Sequence, residues 1–234
     1  MAKRPIFLPQ PSTCLVSELE VEFEWFPGFS RQQKQKSIAS LHKAGSKDRE
    51  AKYLEVSTKS PEELGVKLSA FNLQISTDQD SNPVLLEAAF QGSKVFERSG
   101  QHKHLYQLTS GTEIKKFIND RPPEDIVCFK FEGHTWPLQP PTVFYDWLYL
   151  RALQQIEIDD DGFLDNLTKF DGFTDIEFNP AKSINCQARS CALFVALCRA
   201  GIFREAMTDP QSFIEVLENR GYGTSAKQGN LFED

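Results

Sequence analysis

The chain has 234 residues, of which 40% are hydrophobic and 25% charged, and its formal net charge is −7. These fractions are typical of a globular protein that buries a core. The sequence contains no run of about 18 apolar residues, so it predicts no membrane span. The N-terminal MAKRPIFLPQP lacks the apolar stretch of a secretion signal, so we expect a cytoplasmic protein with no membrane partner. The acidic balance excludes a protein that grips DNA by phosphate contacts over its whole surface.

Five cysteines and four histidines are scattered along the chain. The cysteines are odd in number and form no CxxC pair, so neither a disulfide framework nor a zinc site is predicted. The histidines form no HExxH motif, which argues against a metal enzyme. We therefore expect no metal and no other cofactor.

The first predicted elements are a strand and a helix. Residues 18 to 25, ELEVEFEW, alternate apolar and acidic side chains, which is typical of a half-buried antiparallel strand. Ser30 is a suitable N-cap for a helix over residues 31–43. Residues 53–57 predict a second strand.

Seven basic residues lie in the segment from Arg31 to Lys52, against two acidic ones. Such a segment is either a solvated helix face or a strip that receives a polyanion. Both interpretations remain open at this point.

A helix predicted from Val84 to about Arg98 is the most informative element. Asn82 is a good N-cap for it, and Pro83 suits the first turn. Gly92 lies in its middle, where glycine costs about 1 kcal/mol relative to alanine, and this indicates a closely packed neighbour. Four polar side chains on one face are spaced by four, three and four residues: Glu87, Gln91, Lys94 and Arg98. They form either a solvated polar stripe or a functional surface.

The second half of the chain predicts a strand over 125–131 and an aromatic helix opened by two prolines at 140 and 141. Residues 187–199 are apolar nearly all round and predict a central buried helix. Asp209 and Pro210 begin a last helix, which stops at Gly221.

No repeat or shift in composition marks a domain boundary before Gly221. We predict one α+β domain over residues 1–221, mainly helical with small antiparallel strands, and a flexible C-terminal tail over residues 222–234.

Three ordered segments resemble the NADAR family. LLEAAFQGSKVFE (85–97) is similar to the signature helix of that family, and LGVKLSAFNL (64–73) to its Ser-Asn-Phe loop. FTDIEFNPAKSINCQARSCALFVALCR (173–199) is similar to its final motif. Two departures concern ligand contacts: the loop lacks the usual asparagine, although Asn72 lies just beyond it, and Phe178 stands for an expected tryptophan.

Two further segments resemble one branch of the family. EFEWFPGFSRQQKQKSIASLH (22–42) and KSINCQARS (182–190) are similar to the branch that accompanies DarT-type toxins, which ADP-ribosylate guanine in DNA. The resemblance implies an antitoxin with a DarT-type toxin as its functional partner. It also implies a NADAR-like fold with an ADP-ribose pocket.

The resemblance further implies roles for individual residues. Glu87 would stand near the scissile N-glycosidic bond as general acid or base, or as stabiliser of positive charge on the ribose. Gln91 and Lys94 would hold hydroxyls or phosphate. The remaining ligand-binding residues would be those of the loop and of the final motif: Ser69, Phe71, Asn72, Asp175, Phe178 and Asn185.

A lysine is a second candidate for the first bond-breaking step, because an amine can capture an opened ribose as a Schiff base. Lys34 shares a helix face with Ile38 and Leu41, and partial desolvation lowers the pKa of a lysine. Lys36 is the second choice. The alternative is that Lys34 lies over apolar surface or pairs with a phosphate.

The end of the tail resembles the short peptide by which bacterial proteins dock on the DNA sliding clamp. Its key residues are Gln228, Leu231 and Phe232. The alternative is that the two apolar residues pack back on the parent domain.

The leading hypothesis is an enzyme that removes ADP-ribose from guanine in DNA and releases it as product. The modified base must be reachable, so single-stranded DNA or a flipped-out base is expected. One alternative is an ADP-ribose or NAD-binding antitoxin without catalysis. The other is an N-glycosidase that acts on a small phosphoribosylated metabolite.

Overall fold

The structure, a computed structural model, describes residues 1–12, 14–47, 50–77, 80–160 and 162–222, with the backbone alone at 80 and 81. Its strands are β1 (Ala2–Gln10), β2 (Leu15–Phe23), β3 (Tyr53–Glu55), β4 (Gln74–Thr77), β5 (Asp80–Leu85), β6 (Lys94–Phe96), β7 (Gly100–Gln101), β8 (Ile126–Phe131), β9 (His134–Trp136) and β10 (Gly172–Thr174). Its helices are α1 (Arg31–Gly45), α2 (Glu63–Lys67), α3 (Leu86–Ser93), α4 (Gly111–Asn119), α5 (Val143–Asp159), α6 (Phe163–Leu167), α7 (Gln187–Arg199), α8 (Phe203–Ala206) and α9 (Pro210–Asn219). The predicted α+β class is confirmed.

A four-stranded sheet in the order β2-β1-β10-β3 supports the candidate site. β1 and β2 form an antiparallel hairpin, which runs from the pair Ala2 and Phe23 to the pair Gln10 and Leu15. β10 lies antiparallel to β1 and parallel to β3. Because β3 and β10 run in the same direction, Glu55 and Thr174 end side by side although 118 residues separate them in the chain.

β1 was not predicted, because prolines weaken a strand pattern. In the structure Pro5 and Pro9 lie on either side of Phe7, which is the residue of β1 that pairs with β10. The strand is therefore stabilised mainly by its hairpin with β2.

The helix predicted over residues 84–98 is wrong in its bounds. The structure has a helix only over Leu86–Ser93, and Asn82 lies in β5 instead of capping a helix. Val84 pairs with Ile75 of β4, and Val95 pairs with Cys128 of β8. The β-branched residues at both ends of the predicted helix are thus taken into sheets, which overrides the helical period.

Two helix starts agree with the sequence. The Ser30 side chain accepts a hydrogen bond from the Gln33 backbone N–H and caps α1. Asp209 accepts hydrogen bonds from the backbone N–H groups of Gln211 and Ser212 at the start of α9. Short polar side chains satisfy the free N–H groups of the first turn, so the start of such a helix can be predicted from the sequence.

The core is centred on α7, as the sequence predicted. α7 packs against β1, β2 and β10 on one side and against α5 on the other. Its residues 191–197 are all buried. Gly92 of α3 lies under the ring of Tyr106, where an added Cβ would come within 2.8 Å of the ring, so the predicted close neighbour is present.

A buried carboxylate ties the C-terminal end of the described chain to this core. Asp146 of α5 accepts hydrogen bonds from Thr142 at 2.7 Å, from Ser190 at 2.5 Å and from the Tyr222 hydroxyl at 3.0 Å. Tyr222 therefore belongs with the domain and not with the predicted tail over 222–234. The rest of that tail, with Gln228, Leu231 and Phe232, lies outside the described residues.

Within the described residues, no helix combines the length and the apolar character that a membrane crossing needs.

Tyr222→Phe tests the role of this hydrogen bond. Its loss from a buried carboxyl should lower the free energy of unfolding by about 1 to 2 kcal/mol. Urea unfolding at neutral pH measures the difference. An unchanged midpoint and slope would show that Asp146 does not need the Tyr222 hydroxyl.

Candidate functional site

The predicted polar group on α3 comes together even though the helix ends at Ser93. Gln91 Nε2 donates a hydrogen bond to Glu87 Oε1 at 3.0 Å, and both side chains are half-buried. The Lys94 ammonium lies 4.9 Å from the centroid of the Phe90 ring. Burial lowers the pKa of Lys94 to about 8, although the negative charge of Glu87 acts in the opposite direction and raises it. A carboxylate, an amide and a partly desolvated amine therefore lie side by side.

Tyr145 of α5 connects this group to the end of β10. Its ring meets Phe90 edge-on, with 5.2 Å between the ring centroids. Burial raises the pKa of the Tyr145 hydroxyl well above its ordinary value, and the charges of Glu87 and Asp175 raise it further. Glu87 and Asp175 therefore both lie near enough to the Tyr145 hydroxyl to act on its charge.

Asp175 organises the turn that follows β10. Its Oδ1 atom accepts hydrogen bonds from the backbone N–H groups of Glu177 at 3.0 Å and Phe178 at 3.2 Å. Its Oδ2 atom accepts a hydrogen bond from Gln187 Nε2 at 2.9 Å. Gln187 Oε1 in turn accepts a hydrogen bond from the Ala70 backbone N–H at 2.8 Å. One glutamine thus joins the loop of residues 69–72 to the final motif.

Glu55 is the buried carboxyl group behind this turn. It accepts hydrogen bonds from Ser57 at 2.6 Å, from Thr174 at 2.7 Å and from the Ile176 backbone N–H at 2.8 Å. Burial, followed by the charge of Asp175, raises the pKa of Glu55 to about 8. Glu55 therefore holds the residues on both sides of Asp175, and it is protonated at neutral pH.

Asp175 and His42 complete this network. Burial raises the pKa of Asp175 to about 6. His42 Nε2 lies 2.8 Å from the Thr174 hydroxyl, and burial lowers the pKa of His42 to about 4. At neutral pH the network therefore contains a neutral histidine, a neutral Glu55 and an ionised Asp175.

The predicted lysine reaches the same turn. Lys34 Nζ lies 2.8 Å from Glu177 Oε1 and 5.0 Å from the centroid of the Trp25 ring, and its side chain is only 12% exposed. Lys36 is exposed on the same helix. Of the two candidates, Lys34 is the one that the fold brings to the Asp175 turn.

The other predicted ligand residues differ in their surroundings. Ser69 is buried, and Phe71 is half-buried with the Lys115 ammonium 4.6 Å from its ring centroid. Asn72 is exposed, and its amide donates a hydrogen bond to the Val66 carbonyl of α2 at 2.8 Å. That bond gives Asn72 a local role at α2, and its predicted contact with a ligand stays a prediction.

Two residues of the final motif are half-buried. The Phe178 ring packs edge-on against Phe7, with 6.2 Å between the centroids. The Asn185 backbone carbonyl accepts a hydrogen bond from the Ser183 hydroxyl at 3.2 Å. Their predicted contacts with a ligand stay predictions.

Two surface cavities, of about 300 and 580 Å³, lie between β9 and the start of α9. His134, Trp136 and Asp209 line both of them. None of the predicted site residues in the described part of the chain lines either cavity.

The comparison with protein families decides the relationship. The family model described as DarT1-associated NADAR antitoxin matches residues 2–227. The chain belongs to this family. The family is that of an antitoxin in a toxin-antitoxin pair, and its name gives DarT1 as the associated toxin. No curated protein matches the chain.

Sequence reasoning missed several residues of this NADAR antitoxin that build the site. Glu55, Tyr145 and Gln187 carry its buried hydrogen bonds and charges. A signal existed only for Glu55, as a lone acid between the apolar residues Leu54 and Val56 of a predicted strand. A buried acid of this kind needs donors, and those donors come from a distant part of the chain.

Glu55→Gln tests the charge state of the buried carboxyl. A raised pKa means that the neutral form stabilises the fold fully below pH 4.5 and that this contribution is lost as pH rises toward about 8. Glutamine stays neutral, so the variant should gain more than about 1 kcal/mol relative to the wild type between pH 5 and pH 8. Urea unfolding across this pH range measures the change.

Exposed Glu97→Gln is the control, and its stability should follow the wild type at each pH. Parallel pH profiles for wild type and Glu55→Gln would contradict a protonated Glu55.

Proposed function

We propose that this NADAR antitoxin hydrolyses the N-glycosidic bond between ADP-ribose and a guanine base in DNA, and so reverses the modification made by its toxin. The observation that carries the proposal is a pair of polar groups that offer a carboxylate and a shielded amine. Glu87 and Gln91 lie on α3 with Lys94 directly after it, and Lys34 is held at the Asp175 turn. Family membership supports the antitoxin role, and these side chains supply suitable chemistry.

Glu87 fits the carboxylate route. When the bond between C1 of the ribose and the guanine nitrogen breaks, positive charge develops on the ribose. A half-buried carboxylate stabilises that charge better than one in bulk water, because the surrounding dielectric is lower. Water then adds to C1, and the released guanine takes up a proton. Gln91 orients Glu87 through its hydrogen bond.

Lys34 fits the amine route. A neutral amine attacks C1 of the ring-opened ribose while guanine is still attached. The bond between C1 and the guanine nitrogen then breaks, guanine leaves with a proton, and a Schiff base remains on the lysine. One water hydrolyses this Schiff base, which releases ADP-ribose and restores the amine. The ammonium group must first give up a proton. Its nearest acceptor is the Glu177 carboxylate at 2.8 Å. The contact with Trp25 and the low exposure of Lys34 keep the amine partly desolvated.

The DNA substrate fits the charge of α1. This helix carries Arg31, Lys34, Lys36 and Lys43, and it contains no acidic residue. The rest of the chain is acidic, with a net charge of −7 overall. A local strip of this kind guides a single strand without binding DNA over the whole surface.

Glu87→Gln and Lys34→Ala test the two routes on an oligonucleotide that carries ADP-ribosylated guanine. The variant that removes the essential group should lower the rate of ADP-ribose release about 100-fold or more. Binding of free ADP-ribose should remain. Borohydride in a parallel reaction should trap a covalent adduct on Lys34 if the amine acts.

Lys169→Ala is the control, because Lys169 is an exposed lysine outside the basic segment of residues 31–52 and its ammonium donates a hydrogen bond to Asn166 at 2.8 Å. Its rate should stay within about twofold of the wild type. Protection against the toxin without any ADP-ribose release would instead indicate a binding antitoxin. Release from free nucleotides alone would indicate an N-glycosidase of small metabolites and would overturn the DNA substrate.

The proposed contact of Gln228, Leu231 and Phe232 with the DNA sliding clamp stays a prediction, because these residues lie outside the described part of the chain. Such docking would bring the enzyme to DNA that is being replicated, where single strands are present.

A further inference from the structure

Phe29 is an exposed aromatic side chain close to the candidate site. It is 98% exposed, and no other large hydrophobic residue in the described part of the chain exceeds that value. Phe29 directly precedes Ser30, the N-cap of α1. Lys34 lies on the same helix, little more than one turn further along. A ring that contacts nothing in the protein is available to a ligand.

The turn that carries Phe29 is held firmly on the protein. The Phe26 backbone N–H donates a hydrogen bond to Ser37 Oγ at 3.0 Å. The Ser37 hydroxyl in turn donates one to the Phe26 carbonyl oxygen at 3.3 Å. Gly28 adopts a φ of 132°, which other residues rarely adopt. A Cβ at Gly28 would lie 3.2 Å from Gln33 Cγ. The backbone therefore presents the Phe29 ring outward.

The helix that follows Phe29 carries positive charge. α1 has no acidic residue in its sequence, and Arg31 and Lys36 are exposed on it. Trp25, four residues before Phe29, lies under both Lys34 and the Arg4 guanidinium, whose central carbon is 5.6 Å from the ring centroid. Aromatic rings beside cations are the usual means of holding single-stranded nucleic acid, since bases stack on the rings and phosphates meet the cations.

We propose that Phe29 stacks on the nucleobase next to the modified guanine and so positions a single DNA strand along α1. The inference rests on the proposed DNA substrate and names the side chain that distinguishes DNA from a free nucleotide. Single-stranded nucleic acid is favoured as the ligand because the exposed residues directly after Phe29 are the polar Ser30, Arg31 and Gln32.

The test compares two substrates, an oligonucleotide with ADP-ribosylated guanine and the ADP-ribosylated guanosine monophosphate. Phe29→Ala should raise the KM for the oligonucleotide about tenfold or more and leave the KM for the mononucleotide within about twofold. Phe29→Trp should retain the wild-type KM for both. Ile158→Ala is the matched control, because Ile158 is 67% exposed on the last turn of α5, and it should change neither value.

A second measurement does not depend on turnover. The affinity for an unmodified fluorescent single strand should fall about tenfold or more in Phe29→Ala and should be retained in Phe29→Trp. If wild type releases no ADP-ribose from either substrate, the proposed reaction fails, while this affinity still decides the role of Phe29.

Three outcomes overturn the stacking role. The first is an unchanged affinity for the single strand. The second is an equal rise in KM for both substrates. The third is loss of binding to the toxin, or of self-association, with DNA affinity intact, which would make Phe29 a protein contact.

Discussion

The buried carboxyl group of Glu55 is the constraint on which the rest of the site depends. It lies at the end of β3, and the parallel pairing with β10 places Thr174 and the Ile176 N–H within its reach. Removing a carboxyl from water is unfavourable unless donors surround it, and Glu55 has three. Asp175, between two of those donors, is thereby held in a single orientation. The catalytic hypothesis for this NADAR antitoxin needs such a rigid support behind its ligand-facing groups.

Charge is arranged unevenly on this support. The neutral form of Glu55 removes one negative charge from beside Asp175, and the Glu177 carboxylate at the same turn is paired with Lys34. Burial also shifts the pKa values of Lys94 and Tyr145, and the charge of Glu87 affects both of them. Perturbed groups cluster at functional sites more often than elsewhere. Here they lie on or directly after α3, on α5 and at the ends of β3 and β10.

The parts of the fold that could be predicted are those with a local cause. Ser30 and Asp209 cap their helices through neighbouring N–H groups, and α7 is apolar on all sides because it is surrounded by other elements. The helix predicted over 84–98 failed at both ends, since Val84 and Val95 find partners in strands far along the chain. β1 was missed for a related reason, because its hairpin with β2 outweighs the effect of its prolines.

By itself, the sequence determined the family and the closeness of Glu87, Gln91 and Lys94, because residues a few positions apart in the chain stay close whatever surrounds them. Only the tertiary structure decided what supports that group. Glu55 and Thr174 meet through a parallel strand pair, and Ala70 meets Asp175 through Gln187. Contacts between residues more than 100 positions apart leave no periodic signal, because they arise from how the strands and helices pack and not from the local chain.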